Sequence, residues 1–236
     1  MTPAVLALWS APRSRSTVFF RAMLERGDLL ALHEPFCNVA DYGETDIDGR
    51  AARSEREVMD GMRNAGRPVF FKDTTDHRYD EVIADTDFLT GVRHTFLIRR
   101  PEEIVASFAA LKPDMTVGEV GLEFLYEIFT AVRQATGETP LVVDSDDLIA
   151  DPAALMAAYC AEVGLDHRPE ALSWNAGERS EWSRSSRWHA GVRGSTTIER
   201  RASVYERTTA TDPALAAFAA HHEPFYRRLY EHRLRP

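Results

Sequence analysis

Residues 8–17 of this chain read LWSAPRSRST, and this stretch decides the fold because it joins a strand pattern to a helix pattern. The apolar run 5–9 predicts a buried strand, and the pattern 18–24 predicts an amphipathic helix. A polar turn between the two directs backbone N–H groups and a helix N-terminus towards an anion. Guanidinium groups and hydroxyls within the turn are further donors for phosphate or sulfate oxygens. The stretch predicts a site for a phosphorylated ligand, and the alternative is a solvated turn before an ordinary helix.

Strand and helix patterns alternate through most of the chain. Such alternation predicts one α/β domain over residues 1–236, a three-layer sandwich with a central parallel sheet of about five strands. Two segments, 38–53 and 173–201, look irregular; the first predicts a mobile loop beside a pocket, and the second a functional segment or partial disorder. Residues 215–234 predict one or two helices broken near Pro224. The predicted strands are 5–9, 29–33, 68–71, 94–98 and 141–143, and the other predicted helices are 17–26, 55–64, 101–111, 117–136 and 152–163.

Composition and charge exclude several classes of protein. The net charge is −9 over 236 residues, which argues against a general binder of nucleic acid or of an anionic membrane surface. An anion site in this chain must therefore be built locally from a few arginines. Cys37 and Cys160 are the two cysteines, far apart and in no metal-binding spacing, which fits a reducing cytoplasm. The apolar run 5–9 is too short for a signal peptide, and we expect no membrane span.

The turn at residues 12–17 is not a Walker A motif, because no Gly-Lys pair occurs in it. It resembles the 5′-phosphosulfate loop of sulfotransferases that use 3′-phosphoadenosine 5′-phosphosulfate (PAPS), which reads roughly P-[KR]-S-G-[ST]-[ST]. Five of the six positions fit, and Arg15 stands where glycine is usual. Arg15 must adopt the backbone conformation of that glycine or contact the ligand differently. The resemblance implies a P-loop-like fold in which the 5′-phosphosulfate is held by Arg13, Ser14, Arg15, Ser16 and Thr17.

A second motif follows the predicted strand 94–98. Arg99 comes at the strand end, Pro101 begins a helix pattern, and Ser107 lies eight residues after Arg99. Sulfotransferases carry a similar arginine and serine in a pattern like R-[NHR]-P-x-[DE]-x-x-x-S. The resemblance implies that Arg99 and Ser107 hold the nucleotide 3′-phosphate. A solubilising strand-end charge and a serine on the helix surface are the alternatives.

Two further strand ends carry candidate catalytic residues. Glu34 precedes Pro35, and in carbohydrate-type and bacterial sulfotransferases a glutamate in a similar Glu-Pro context is the proposed general base. His33 competes for this role, but side chains alternate along a strand, so one of the pair faces the site, and we favour Glu34. Lys72 comes directly after the predicted strand 68–71, at its end, and can stabilise the sulfuryl group in the transition state. Cytosolic sulfotransferases have a histidine base two residues after this lysine, and Thr74 occupies that position here.

The segment 173–201 resembles the loop of basic and aromatic residues with which sulfotransferases close over the nucleotide, in composition and location only. Many sulfotransferases have a tryptophan that stacks on the ligand at the position of Val18, so the adenine contact must come from elsewhere in this chain. Trp182 or Trp188 can stack on adenine or on substrate instead. A plain packing patch is the alternative. The sequence predicts a PAPS-dependent sulfotransferase of the bacterial small-molecule or carbohydrate-like type, which needs no metal and has a small-molecule hydroxyl or amine acceptor. A non-catalytic nucleotide-binding or partner-docking protein of the same fold is the rival prediction.

Overall fold

Five short apolar runs pair side by side into one parallel sheet, as the sequence predicts. The computed structural model describes residues 2–201 and 204–235. The strands are β1 (Val5–Ser10), β2 (Leu30–His33), β3 (Thr45–Ile47), β4 (Arg50–Ala52), β5 (Val69–Thr74), β6 (Arg93–Ile98) and β7 (Leu141–Asp144). The main sheet has the order β2-β5-β1-β6-β7, so β1 lies at its centre. Its strands are nearly continuous apolar runs because both faces of the sheet are covered.

Helices cover both faces of the sheet and produce the three predicted layers. Leu6 and Leu8 of β1 pack on one side with Phe19, whereas Ala7 and Trp9 pack into the core of the other side. This alternation follows from the two-residue period of a strand. The helices are α1 (Ser16–Glu25), α2 (Pro35–Tyr42), α3 (Glu55–Arg63), α4 (Asp80–Ala84), α5 (Thr86–Gly91), α6 (Pro101–Ala109), α7 (Leu122–Thr136), α8 (Ser145–Ala150), α9 (Pro152–Val163), α10 (Ala190–Arg193) and α11 (Pro213–Tyr230).

The segment 38–53 lies beside a cavity as predicted, but the prediction that it is an irregular loop is wrong. Helix α2 runs into this segment, and β3 and β4 form an antiparallel hairpin after it. The hairpin turn is Asp48-Gly49, with φ of 53° and 82°, the backbone conformation that favours an Asp-Gly pair. Ile47 and Ala52 are buried and anchor the hairpin on the core. Acidic residues hid the strand pattern, although the turn signal was present.

Two helix predictions are also corrected. The helix predicted over 117–136 begins only at Leu122, because a short 3₁₀ turn ends at Gly121 with φ of 81°. A side chain at Gly121 would meet Pro12 Cδ at 2.8 Å, so only glycine fits against the turn that follows β1. The helix at the C-terminal end continues through Pro224 without a break. Within the described residues, no helix has the length and apolar character needed to cross a membrane.

The sheet topology fixes where the candidate residues meet. All five strands are parallel, so the ends of β1, β2, β5 and β6 lie along one edge of the sheet. The chain leaves β1 towards β2 on one side and later returns to β6 on the other side. In open α/β sheets, ligands bind in the crevice at such a switch of strand order. The turn after β1 lies at this crevice.

Candidate active site

The turn after β1 has an unusual backbone. Arg13 and Arg15 have φ of 61° and 65°, in the left-handed region that few residues other than glycine occupy. Arg15 therefore does adopt the conformation of the glycine it replaces, and it is the N-cap residue of α1. Each such residue costs about 1–3 kcal/mol of strain, and strain of this kind clusters at ligand-binding sites. The turn opens at a helix N-terminus, where backbone N–H groups can bind an anion.

A cavity of about 330 Å³ lies against this turn. Four of the five predicted phosphosulfate-binding residues line it: Arg13, Arg15, Ser16 and Thr17. Ser14 is fully buried and does not line the cavity, and its hydroxyl has no hydrogen-bond partner among the described residues. A buried hydroxyl without a partner costs free energy, so the predicted contact between the Ser14 hydroxyl and a ligand stays a prediction.

Arg99 and Ser107 line the same cavity and contact the turn directly. The Arg99 guanidinium donates to the carbonyl oxygen of Arg13 at 2.7 Å. The Arg13 side chain in turn donates from Nε to Ser107 Oγ at 3.1 Å and from Nη1 to the Trp188 carbonyl at 2.6 Å. Burial lowers the pKa of both arginines from the usual range. The two sequence motifs thus form one positively charged side of the cavity. We call this side, with Arg13, Arg15, Arg99 and Ser107, the cationic wall.

Carboxylates balance this wall. Glu103 Oε2 accepts from Arg99 Nε at 2.7 Å and from Arg15 Nη2 at 2.9 Å. Arg15 Nη1 also binds Asp146 Oδ1 at 2.9 Å, and Arg100 Nε binds the other oxygen of Asp146 at 2.9 Å. The pKa of Glu103 lies below its usual range, since Arg99 and Arg15 outweigh the effect of its burial. An acidic protein thereby holds several arginines close together without large mutual repulsion.

Glu34, which follows β2, forms an ion pair with Lys72, which lies within β5. The prediction that Lys72 lies at a strand end is wrong, because β5 continues to Thr74. Both are buried, at 7% and 1% exposure, and both line the cavity. Burial alone would raise the pKa of Glu34, but the Lys72 ammonium outweighs it and the pKa is lowered. The pair is internal, unlike a solvated lysine–glutamate pair on the surface. It positions a carboxylate and an ammonium beside the turn after β1.

His33 lies behind this pair. Its Nδ1 is 3.5 Å from Glu34 Oε2 and its Nε2 is 3.5 Å from Lys72 Nζ, but His33 does not line the cavity. Burial, with Lys72 nearby, lowers the pKa of His33 well below its usual value. Glu34 therefore lines the cavity and His33 does not. The alternation of side chains along a strand is not the cause of this difference. Glu34 follows the strand and has φ of 52°, which turns its side chain into the cavity wall.

Asp73 fixes the position of Glu34 and was not found from the sequence. Its carboxylate accepts from the backbone N–H of Phe36 at 2.7 Å and of Cys37 at 3.2 Å, which are free donors in the first turn of α2. Glu34 is the N-cap residue of that helix. Burial raises the pKa of Asp73 well above its usual value. An acidic residue directly after the lysine of a predicted strand end was the available signal.

His189 is the second residue that the sequence analysis missed. Its Nδ1 lies 2.9 Å from Thr17 Oγ1 and its Nε2 lies 3.0 Å from Ser185 Oγ. Burial lowers the pKa of His189 to about 2, so the ring is neutral. The segment 173–201 therefore covers the turn after β1 through His189. No local motif marks His189, because it meets Thr17 only through the fold.

The two candidate tryptophans have different surroundings. Trp182 is buried in the core against Phe20 and does not line the cavity. Trp188 lines the cavity, with its ring edge-to-face to Phe108 at a centroid distance of 5.5 Å. Trp188 is therefore the tryptophan available for stacking on a ligand.

The segment from Ser185 onwards forms one further side of the cavity, and another is formed by α2, the loop after β5 and the loop after α6. This second group is mixed in charge, and Lys112 pairs with Glu119 within it. Burial raises the pKa of Asp76, whose Oδ1 has no hydrogen-bond partner among the described residues. We call this group the far wall; its residues are Cys37, Asn38, Asp41, Tyr42, Asp76, His77, Lys112 and Glu119.

Two sets of side chains bring metal-ligating atoms within 4.8 Å of one another. The first set is His33, Glu34 and His189, where the Lys72 ammonium already binds the carboxylate. The second is Cys37, Asp41 and His77, in which His77 Nε2 binds Asp41 Oδ1 at 2.9 Å. Burial raises the pKa of the Cys37 thiol, which disfavours the thiolate that a metal requires.

Comparison with known proteins identifies the family. A family model for the sulfotransferase domain matches residues 4–229. This chain belongs to the sulfotransferase domain family. Solved sulfotransferase domains share its fold: the domain from the curacin biosynthetic pathway (TM-score 0.52, 11% identity, covering 94% of this chain and 98% of that one) and the domain from the Synechococcus PCC 7002 olefin synthase (TM-score 0.50, 14% identity, covering 94% and 95%).

Curated relatives are longer proteins. The sulfotransferase domain is 28% identical over 183 residues, 73% of this chain, to branched-chain-amino-acid aminotransferase-like protein 2 of Arabidopsis thaliana. It is also 28% identical over 209 residues, 82% of this chain, to the related protein 1 of the same plant. The matches span 32% and 36% of those two proteins, about a third of their length.

Proposed function

We propose that this sulfotransferase domain transfers the sulfuryl group of PAPS to a hydroxyl or an amine of a small-molecule or carbohydrate-like acceptor. The observation that carries the proposal is the buried Glu34–Lys72 pair, which lines one cavity together with the cationic wall of the turn after β1. A base, a cation and an anion-binding turn are the parts that in-line sulfuryl transfer requires. Family membership supports the reaction class.

The proposed donor lies along the cationic wall. The turn, with Arg13, Ser16, Thr17 and the backbone of residues 13–17, holds the 5′-phosphosulfate, and Arg99 and Ser107 hold the 3′-phosphate. This assignment is supported by the Arg99–Arg13 and Arg13–Ser107 contacts, which join the two motifs at one site. Trp188 is the proposed stacking partner of adenine. The acceptor then lies between Glu34 and the far wall.

In the proposed step, the acceptor oxygen or nitrogen attacks sulfur while Glu34 takes up its proton. The bond between sulfur and the bridging oxygen breaks, and that oxygen leaves with both bonding electrons on adenosine 3′,5′-bisphosphate. Lys72 stabilises the charge on the sulfuryl and bridging oxygens. As the Lys72 ammonium turns towards those oxygens, its interaction with the Glu34 carboxylate weakens. Because the carboxylate is buried, its pKa then rises, which makes Glu34 a stronger base at the moment of transfer.

The experiment compares Glu34→Gln with the wild type. We expect transfer of radiolabelled sulfuryl groups from PAPS to a panel of phenols, alcohols, sugars and amines to fall by about 10²–10⁴-fold. Binding of adenosine 3′,5′-bisphosphate, measured by calorimetry, should be nearly retained. Glu127→Gln is the control, because Glu127 is also paired with a cation, Arg78, but lies outside the cavity, and we expect it to leave transfer unchanged.

Three results would contradict the proposal. Unchanged transfer in Glu34→Gln would remove this residue from the mechanism. A wild-type protein that binds adenosine 3′,5′-bisphosphate but transfers nothing to any acceptor class would favour the non-catalytic nucleotide-binding protein. A preference for ATP–Mg²⁺ over the bisphosphate in thermal shift would overturn the choice of donor.

A further inference from the structure

The side chain of Arg15 extends away from the helix N-terminus that it caps. Its Nη2 is 2.9 Å from Glu103 Oε2, and Arg99 Nη2 is 2.6 Å from the same oxygen. Its Nη1 donates to Ser145 Oγ, at the start of α8, at 2.9 Å. The backbone of Arg15 thus belongs to the turn after β1, whereas its guanidinium group lies beside that of Arg99.

The charges around the Arg15 guanidinium show what this side chain contributes to the site. Arg99 and Glu103 alone form a neutral pair, which attracts an anion weakly. Arg15 and Arg100 add two positive charges and Asp146 adds one negative charge, so the network carries a net charge of +1. Within it, Arg15 and Arg99 line the cavity, while Arg100, Glu103 and Asp146 do not. The positive side of the network therefore faces the cavity.

The pKa of Arg99 indicates that the two cations interact. Burial lowers this pKa first, and the repulsion from the Arg15 guanidinium is the next cause. A dianion bound beside both groups would relieve that repulsion, because each guanidinium presents several N–H donors in a planar fork. Arg13 connects Ser107 to Arg99, because its Nε donates to Ser107 Oγ and its carbonyl oxygen accepts from Arg99 Nη1, and all three residues line the cavity.

We infer that the Arg15 side chain binds the 3′-phosphate of the nucleotide together with Arg99 and Ser107, and that it sets the selectivity for 3′-phosphorylated nucleotides. The inference rests on the proposed function, which places the 3′-phosphate at Arg99. It reassigns the Arg15 side chain from the 5′-phosphosulfate to the other end of the ligand. The backbone N–H of Arg15 remains part of the 5′-binding turn.

The test combines one substitution with two ligands. Arg15→Gly removes the guanidinium, and glycine accepts a φ of 65° without strain, so the turn keeps its conformation. Calorimetry measures the affinity for adenosine 3′,5′-bisphosphate and for 5′-AMP, which differ only in the 3′-phosphate. We expect the variant to bind the bisphosphate about 10–100-fold more weakly, the usual effect of losing a charged hydrogen bond, and to bind 5′-AMP unchanged.

Two further variants keep the result interpretable. Arg78→Gln removes an arginine paired with Glu127, outside both the network and the cavity, and we expect it to leave the ratio of the two affinities unchanged. Arg15→Lys retains a charge and should recover part of the selectivity. It also serves as the test if Arg15→Gly does not fold.

Each other outcome has a distinct meaning. Equal weakening for both ligands would overturn the inference, because Arg15 would then act on the 5′ end. No change for either ligand would overturn it as well, by reducing Arg15 to a structural ion pair. If the wild type binds the bisphosphate no better than 5′-AMP, the proposed function itself fails, since the 3′-phosphate is then not recognised at all.

Discussion

Removal of the Lys72 ammonium should destabilise the protein in a way that depends on pH. Lys72→Met keeps most of the aliphatic volume and leaves the Glu34 carboxylate buried without its main partner. Both groups are more than nine-tenths buried, so solvent screens their interaction little. Breaking a buried ion pair from one side costs about 3–5 kcal/mol. Protonation of Glu34 limits this cost, because burial without a cationic partner raises the pKa of a carboxyl, which then takes up a proton instead.

The sign of the pH dependence differs between the two proteins. In the wild type the pKa of Glu34 is lowered in the folded state, so Glu34 contributes stability above its unfolded pKa and loses it as the pH falls. In Lys72→Met burial dominates and the folded pKa is raised. The variant is then most stable below the unfolded pKa of Glu34, and it loses stability as the pH rises through the folded pKa. The difference in free energy of unfolding should therefore grow from pH 5 to pH 8.

Urea unfolding at pH 5 and pH 8 measures this difference. The double variant Glu34→Gln/Lys72→Met is the control, because an uncharged amide removes the buried charge. We expect it to be more stable than Lys72→Met at pH 8 and to have little pH dependence. A loss of stability that is equal at both pH values, and that Glu34→Gln does not relieve, would refute the reasoning.

Two predictions concern the residues that support the site. Asp73→Ala should lower the free energy of unfolding by about 2–5 kcal/mol, because two buried N–H donors of α2 lose their acceptor; urea unfolding measures it, and Asp73→Asn, which retains one oxygen, should lose less. An Asp73→Ala protein as stable as the wild type would contradict this. Trp188→Ala should weaken adenosine 3′,5′-bisphosphate and 5′-AMP equally, by about 5–100-fold in calorimetry, as expected for lost stacking on adenine, whereas Trp188→Phe should retain most of the affinity. A loss for the bisphosphate alone would show that Trp188 does not contact the base.

The sheet was predictable because its strands are short apolar runs bounded by polar turns. The positions of Glu34 and Arg99 followed from the same pattern, since the ends of neighbouring parallel strands meet at one edge. Lys72 instead lies within β5, which extends to Thr74, beyond its predicted end at 71. The β3–β4 hairpin was missed because acidic residues obscure its alternation, although its Asp48-Gly49 turn is a hairpin signal.

The missed site residues depend on contacts between distant parts of the chain. His189 reaches Thr17 only because the segment 173–201 folds back over the turn after β1. Asp73 acts on backbone groups of α2, which no motif describes. The motif that names residues 12–17 also conceals two differences within it: Ser14 points into the protein and the Arg15 side chain lies at Arg99. A sequence pattern specifies a backbone conformation here better than it specifies side-chain direction.

The pairing of cations with carboxylates bears on how so acidic a chain, with a net charge of −9, can accept a highly charged anion. Lys72 is paired with Glu34, and Arg15 and Arg99 are paired with Glu103. These carboxylates stabilise the cations before a ligand arrives and reduce the repulsion among them. A ligand must then compete with them, and a singly charged anion gains little from the exchange. A nucleotide with anionic groups at both ends replaces both interactions at once, and we expect the site to select such ligands for this reason.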